Sequence, residues 1–214
     1  MKKSVIECID REKIIVILRG IEEEHLIPLC EAMYEGGIRL LELTYSSDGS
    51  RDEKTKNDIA KLSEHFRGRM HIGAGTVLTE RQVEYTKEAG GEFIISPNVN
   101  PEIIKRTNEL SMVSIPGALT PTEIASADAA GADYVKLFPI STFGTEYLKA
   151  VKAPLSHIKF LAVGGINEIN ASEYLKAGAV GIGVGSNIAD KNLIKASNFE
   201  AIKALSEKYV LAVK

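Results

Sequence analysis

The chain has 214 residues, a net charge of −3, and 44% hydrophobic and 26% charged side chains. That balance is ordinary for a globular protein and allows a sizeable core. Mixed charge of both signs excludes the basic stripe that neutralises a nucleic-acid backbone. No run of about 18 apolar residues offers a membrane span. Met1-Lys2-Lys3-Ser4 opens like a secretory leader, but Glu7, Asp10, Arg11 and Glu12 interrupt the apolar stretch a leader needs. Cys8 and Cys30 match no metal or redox spacing and fit a reducing, cytoplasmic setting.

One theme recurs along the chain: a short apolar run, a turn, then an amphipathic stretch. The runs at 14–18, 40–45, 72–77, 93–96, 112–115, 134–138, 158–163 and 180–184 are of strand length and rich in β-branched residues. Helical spacing appears at 22–35, 80–89, 123–130 and 171–177. Each of these stretches stops at a glycine able to close the last turn in the left-handed conformation. Thr79 and Thr122 are placed to cap helix starts. Eight such units predict a parallel sheet with right-handed crossovers. An open doubly wound sheet could hold eight strands, but a closed (β/α)₈ barrel suits the count and leaves no edges. No linker composition appears, so the expectation is one α/β barrel domain over 1–214 with a short N-terminal helix.

Charge inside the apolar runs is the informative feature. Glu42 stands between Leu41 and Leu43, and Lys136 between Val135 and Leu137. Side chains alternate along a strand, so the leucines and valine should face the helices while Glu42 and Lys136 point into the barrel. Lysine and glutamate are rarely buried unless paired. Each alone reads as well structurally, as half of a buried Glu-Lys ion pair or, for Lys136, as a side chain snorkelling out of the mouth, as it does catalytically. Together with Arg19, also at a strand end where barrels carry their chemistry, they point to amine catalysis. Desolvation or a neighbouring cation frees a lysine amine to attack a carbonyl. The resulting imine is an electron sink, and Glu42 would carry the protons.

Gly164-Gly165 and Gly185-Ser186 follow the seventh and eighth runs, where barrels often bind phosphate through backbone N–H groups; tight turns without a ligand are the plainer alternative. Arg19 and Thr76 suit a substrate carboxylate. Pro97, Pro116 and Pro139 each close a strand, read mainly as rigid exits. The four histidines form no metal spacing, and His71 and His157 fall at strand starts, on the stability face.

These residues carry a resemblance to a known family. Ile15-Val16-Ile17-Leu18-Arg19, Leu41-Glu42-Leu43-Thr44, Ile72-Gly73-Ala74-Gly75-Thr76-Val77-Leu78, Phe93-Ile94-Ile95-Ser96-Pro97, Ile115-Pro116-Gly117, Leu119-Thr120-Pro121-Thr122-Glu123, Lys136-Leu137-Phe138-Pro139 and Val163-Gly164-Gly165-Ile166 stand in order and at similar spacing. The chain resembles the 2-keto-3-deoxy-6-phosphogluconate / 4-hydroxy-2-oxoglutarate aldolases from about residue 14 to 189. The resemblance implies a small (β/α)₈ barrel, a homotrimer, and no metal or organic cofactor. It places Lys136 on the Schiff-base lysine and Glu42 on the acid/base. Arg19 and Thr76 fall on pyruvate-end contacts, Pro97 among the substrate contacts, and Gly164, Gly165, Gly185 and Ser186 at the phosphate end. The implied products are pyruvate and glyceraldehyde 3-phosphate, or pyruvate and glyoxylate from 4-hydroxy-2-oxoglutarate.

Four residues, at three places, depart from the family pattern. Ala162-Val163 replaces a Pro-Thr, Ser46 replaces an arginine, and Asn98 replaces a glycine. Ala-Val-Gly-Gly also resembles the 2-keto-3-deoxy-6-phosphogalactonate aldolases, which differ at C4. Two other readings compete: a phosphate-binding barrel isomerase or synthase with Glu42 as base, and a non-catalytic sugar-acid phosphate binder.

Overall fold

The computed structural model describes residues 2–214. Its first half runs α1 (Lys2–Glu12), β1 (Ile14–Leu18), α2 (Glu23–Glu35), β2 (Leu40–Thr44), α3 (Asp52–His65), β3 (His71–Gly75), α4 (Glu80–Glu88), β4 (Phe93–Ile95) and α5 (Pro101–Glu109). The second half runs β5 (Val113–Ile115), β6 (Gly117–Ala118), α6 (Pro121–Ala129), β7 (Val135–Leu137), a 3₁₀ turn (Ile140–Thr142), α7 (Gly144–Lys152), β8 (Phe160–Val163), α8 (Ala171–Lys176), β9 (Gly181–Val184), α9 (Lys191–Lys195) and α10 (Phe199–Ala212). Every strand expected from the sequence is present.

All pairings are parallel, in the order β5-β4-β3-β2-β1-β9-β8-β7-β6. The two ends of that order are neighbours in sequence. β5 pairs with β4, β6 pairs with β7, and only Pro116 separates them. They are one stave bent at Pro116, so the nine segments make an eight-stave barrel. Pro116 ends β5, as the sequence reading had it, but the stave resumes beyond it as β6. Proline has no N–H for the ladder, so the stave changes partner there. The Pro116 carbonyl instead accepts from the Lys136 N–H at 2.9 Å.

Alternation along the staves sorts two apolar layers. Val16, Leu18, Leu41, Leu43, Ala74, Val135, Leu137 and Ala162 pack outward against the helices. Ile15, Leu40, Phe93, Ile95, Val113, Ile115, Tyr134, Leu161 and Val163 fill the barrel. Val5, Cys8 and Ile9 of α1 join this inner cluster, so α1 plugs the N-terminal end and leaves the opposite end open. At the plugged end, Tyr134 Oη–H donates to Asp10 at 2.7 Å and Lys159 donates to the other oxygen of Asp10 at 2.6 Å, latching the plug.

The helix ends follow local chemistry. Thr79 caps α4 in a reciprocal box with Gln82. Thr120, not Thr122, caps α6, in a box with Glu123. Thr122 lies inside the first turn because Pro121 takes the first helical position, where its fixed φ fits and no N–H is missed. After α2 the chain turns through Gly37 at φ 97, the left-handed exit its glycine permits.

Candidate active site

Glu42 and Lys136 both point into the barrel, as their apolar neighbours required. Glu42 is 1% exposed and Lys136 8% exposed. Glu42 extends from β2 with Ile17 and Gly73 as its register partners. Lys136 extends from β7 with Gly117 and Leu161 on either side. Both therefore stand above the inner apolar layer, facing the mouth.

Burial decides their charge states. It pushes the Glu42 carboxyl up to about 7, against the opposing pull of Lys136 and Arg19. Burial also holds the Lys136 ammonium below its usual range; Glu42 opposes this and the Arg19 guanidinium adds to it. Glu42 Oε2 has no hydrogen-bond partner among the described residues. Lys136 Nζ lies 4.8 Å from the centre of the Phe138 ring. A desolvated amine and a carboxyl that gains and loses a proton near neutrality, one of its oxygens unsatisfied, are the groups that proton transfer in an apolar cavity requires.

Arg19 leaves the end of β1 and donates Nη2–H to Thr76 Oγ1 at 3.2 Å. Thr76 follows β3 with φ 54, a left-handed conformation costly for a non-glycine residue. Arginine and threonine thus form one donor pair at the mouth, beside Lys136.

The remaining expected residues spread over the rim. Pro97 is exposed just past β4. Gly164 and Gly165 follow β8 with φ 97 and 72. A side chain on Gly165 would meet Ser141 Oγ at 2.3 Å, so this turn has a steric need for glycine apart from any ligand. Gly185 and Ser186 follow β9 and line a cavity of about 660 Å³ with Ile17, Arg19, Lys191 and Lys195. Gly164 and Gly165 do not line it, so only one of the two glycine pairs shares this cavity with Arg19. Glu22 and Glu24 line it as well.

Sequence reasoning missed Phe138, Lys191 and Lys195. Phe138 carried a signal, since it lies two residues past Lys136 on the same inward face. The lysines carried none, because α9 is only five residues long and its placement over the mouth is tertiary. Among the described residues no three His, Cys, Asp or Glu side chains gather as a metal site. No helix there is long and apolar enough to cross a membrane.

Residues 5–205 match the family model of the KDPG and KHG aldolases. The chain belongs to this aldolase family. It is 35% identical over 82% of its length to the 2-dehydro-3-deoxy-6-phosphogalactonate aldolase of Escherichia coli (strain K12), covering 83% of that protein. It is 31% identical over 96% of its length to the 2-dehydro-3-deoxy-phosphogluconate aldolase of Treponema pallidum (strain Nichols), covering 95% of it. Among solved aldolases, the KDPG aldolase of Legionella pneumophila, with pyruvate captured as a covalent carbinolamine intermediate, superposes with a TM-score of 0.82 at 31% identity. That match covers 92% of this chain and 93% of that one.

Proposed function

We propose that this aldolase cleaves a 2-keto-3-deoxy-6-phospho sugar acid to pyruvate and glyceraldehyde 3-phosphate through an imine on Lys136. The observation that carries the reading is the buried Lys136 and Glu42 pair inside an otherwise apolar barrel. The neutral Lys136 amine adds to the C2 ketone, and the carbinolamine hydroxyl leaves as water with one proton taken up from solvent at the open mouth, giving a protonated imine. Glu42 takes the proton of the C4 hydroxyl. The C3–C4 bonding electrons then pass into the imine as an enamine, and the aldehyde departs. Reprotonation of C3 by Glu42 and addition of water release pyruvate and restore the amine. Arg19 and Thr76 hold the C1 carboxylate with charge-assisted hydrogen bonds. Pro97 borders the substrate, and Gly164, Gly165, Gly185 and Ser186 receive the phosphate. No metal or organic cofactor is needed for these steps.

A coupled lactate dehydrogenase assay tests this, with pyruvate release expected from a phosphorylated ketoacid. Binding without pyruvate release would support the non-catalytic binder instead. Borohydride reduction with pyruvate present should add mass to Lys136; no added mass would favour an isomerase or synthase. The gluconate configuration at C4 is the reading of the family as a whole. The galactonate configuration is favoured by one observation: identity is 35% to the galactonate relative against 31% to the gluconate one. Assaying both epimers side by side, with 4-hydroxy-2-oxoglutarate as a third substrate, separates them.

The proposal extends to the assembly: one domain over 1–214, cytoplasmic, working as a homotrimer. Phe138, Phe143 and Ile169, in the loops after β7 and β8, are 38%, 45% and 81% exposed. Large apolar side chains in adjacent loops support a subunit contact there.

A further inference from the structure

Glu42 leans from β2 across β3, where Gly73 is its register partner and Gly75 lies one inward position nearer the mouth. A Cβ on Gly75 would fall 1.4 Å from Glu42 Oε1 and 2.2 Å from its carboxyl carbon. No side chain exists at such distances. Gly75 is not among the residues with positive φ, so its backbone would accept any residue. What the position forbids is volume. Gly73 differs: a Cβ there would meet the Phe93 ring at 2.4 Å, a matter of core packing.

Glu42 Oε2 has no donor to hold it. The carboxylate is therefore seated by shape, together with the charges of Lys136 and Arg19. We propose that Gly75 is a positioning residue: its missing side chain forms the seat of the Glu42 carboxylate and so sets the line of proton transfer at the Lys136 imine. This rests on the proton-carrier role given to Glu42 above. Filling the seat drives the carboxylate out of its place while leaving Lys136 free to form the imine. A misplaced reacting group loses rate steeply even when the fold is intact.

The test is exchange of the pyruvate C3 protons in deuterated water, followed by NMR, which needs both the imine and the base. Wild type should exchange and Glu42→Ala should lose exchange. Gly75→Ala should fall by about 100-fold or more, the scale of a lost general base, while borohydride still traps pyruvate on Lys136. In a Glu42→Ala background, where there is nothing to displace, Gly75→Ala should cause no further loss. Exchange by Gly75→Ala within about threefold of wild type, alongside a dead Glu42→Ala, would overturn the proposal. If Gly75→Ala does not fold, a folded Glu42→Ala/Gly75→Ala double variant identifies the carboxylate as the clash and supports the seat. An unfolded double variant overturns it. Normal exchange by Glu42→Ala would be a separate failure, that of the proton-carrier role itself.

Discussion

The proposed chemistry turns on Lys136. Its neighbours Val135 and Leu137 hold the outer layer, so removing the amine leaves the barrel's packing nearly unchanged. Lys136→Ala is expected to keep its circular dichroism and lose pyruvate release entirely; turnover near wild type would end the imine mechanism. Glu42→Gln should cost about 10²–10⁴-fold in kcat. In the wild type the rate should fall as pH drops below about 7, where burial keeps Glu42 protonated. The same burial has a stability cost. Between the usual value of 4.5 and about 7, the native carboxyl keeps a proton that the unfolded chain gives up. Stability therefore falls as pH rises across that window. Glu42→Gln should raise Tm at pH 8 by roughly 3 °C or more and by less at pH 5, as melting curves at the two pH values can check.

At the scale of elements, the caps and the plug are separable. Thr120 closes a reciprocal box on α6, so Thr120→Ala should lose about 0.5–2 kcal/mol in urea unfolding. Thr122→Ala should change little, and equal losses would return the cap to Thr122. The plug is tied at a second point. Cys8 of α1, with Glu92 ahead of β4, raises the His71 pKa to about 9. The His71 Nδ1 lies 3.0 Å from both Glu92 oxygens. This contribution is fully present below about 6.5, the unfolded value, and is lost as pH climbs through about 9. His71→Gln should flatten the stability profile between those limits. An unchanged profile would mean that the histidine adds nothing to the latch. His71 was readable as a stability-face residue from its place at a strand start, but its partners were not, since Cys8 and Glu92 lie far from it in sequence.

For the whole molecule, the exposed Phe138, Phe143 and Ile169 have a measurable consequence. Sedimentation should find about 70 kDa, three times the 23.2 kDa chain, and Phe143→Glu should shift it toward the single chain. A wild-type mass of one chain would remove the trimer.

The barrel itself was legible because β-branched runs, helical spacing and glycine exits repeat locally, and local repetition of this kind admits few topologies. Glu42 and Lys136 were legible because a charge within an apolar run betrays an interior position whatever the partner is. The bend at Pro116, the cap at Thr120, the plug formed by α1, the ring of Phe138 beside the amine and the seat at Gly75 were not. Each depends on which distant backbone or side chain comes to lie beside it. One-dimensional periodicity fixes the direction in which a side chain points, but only the closed barrel determines what that side chain meets.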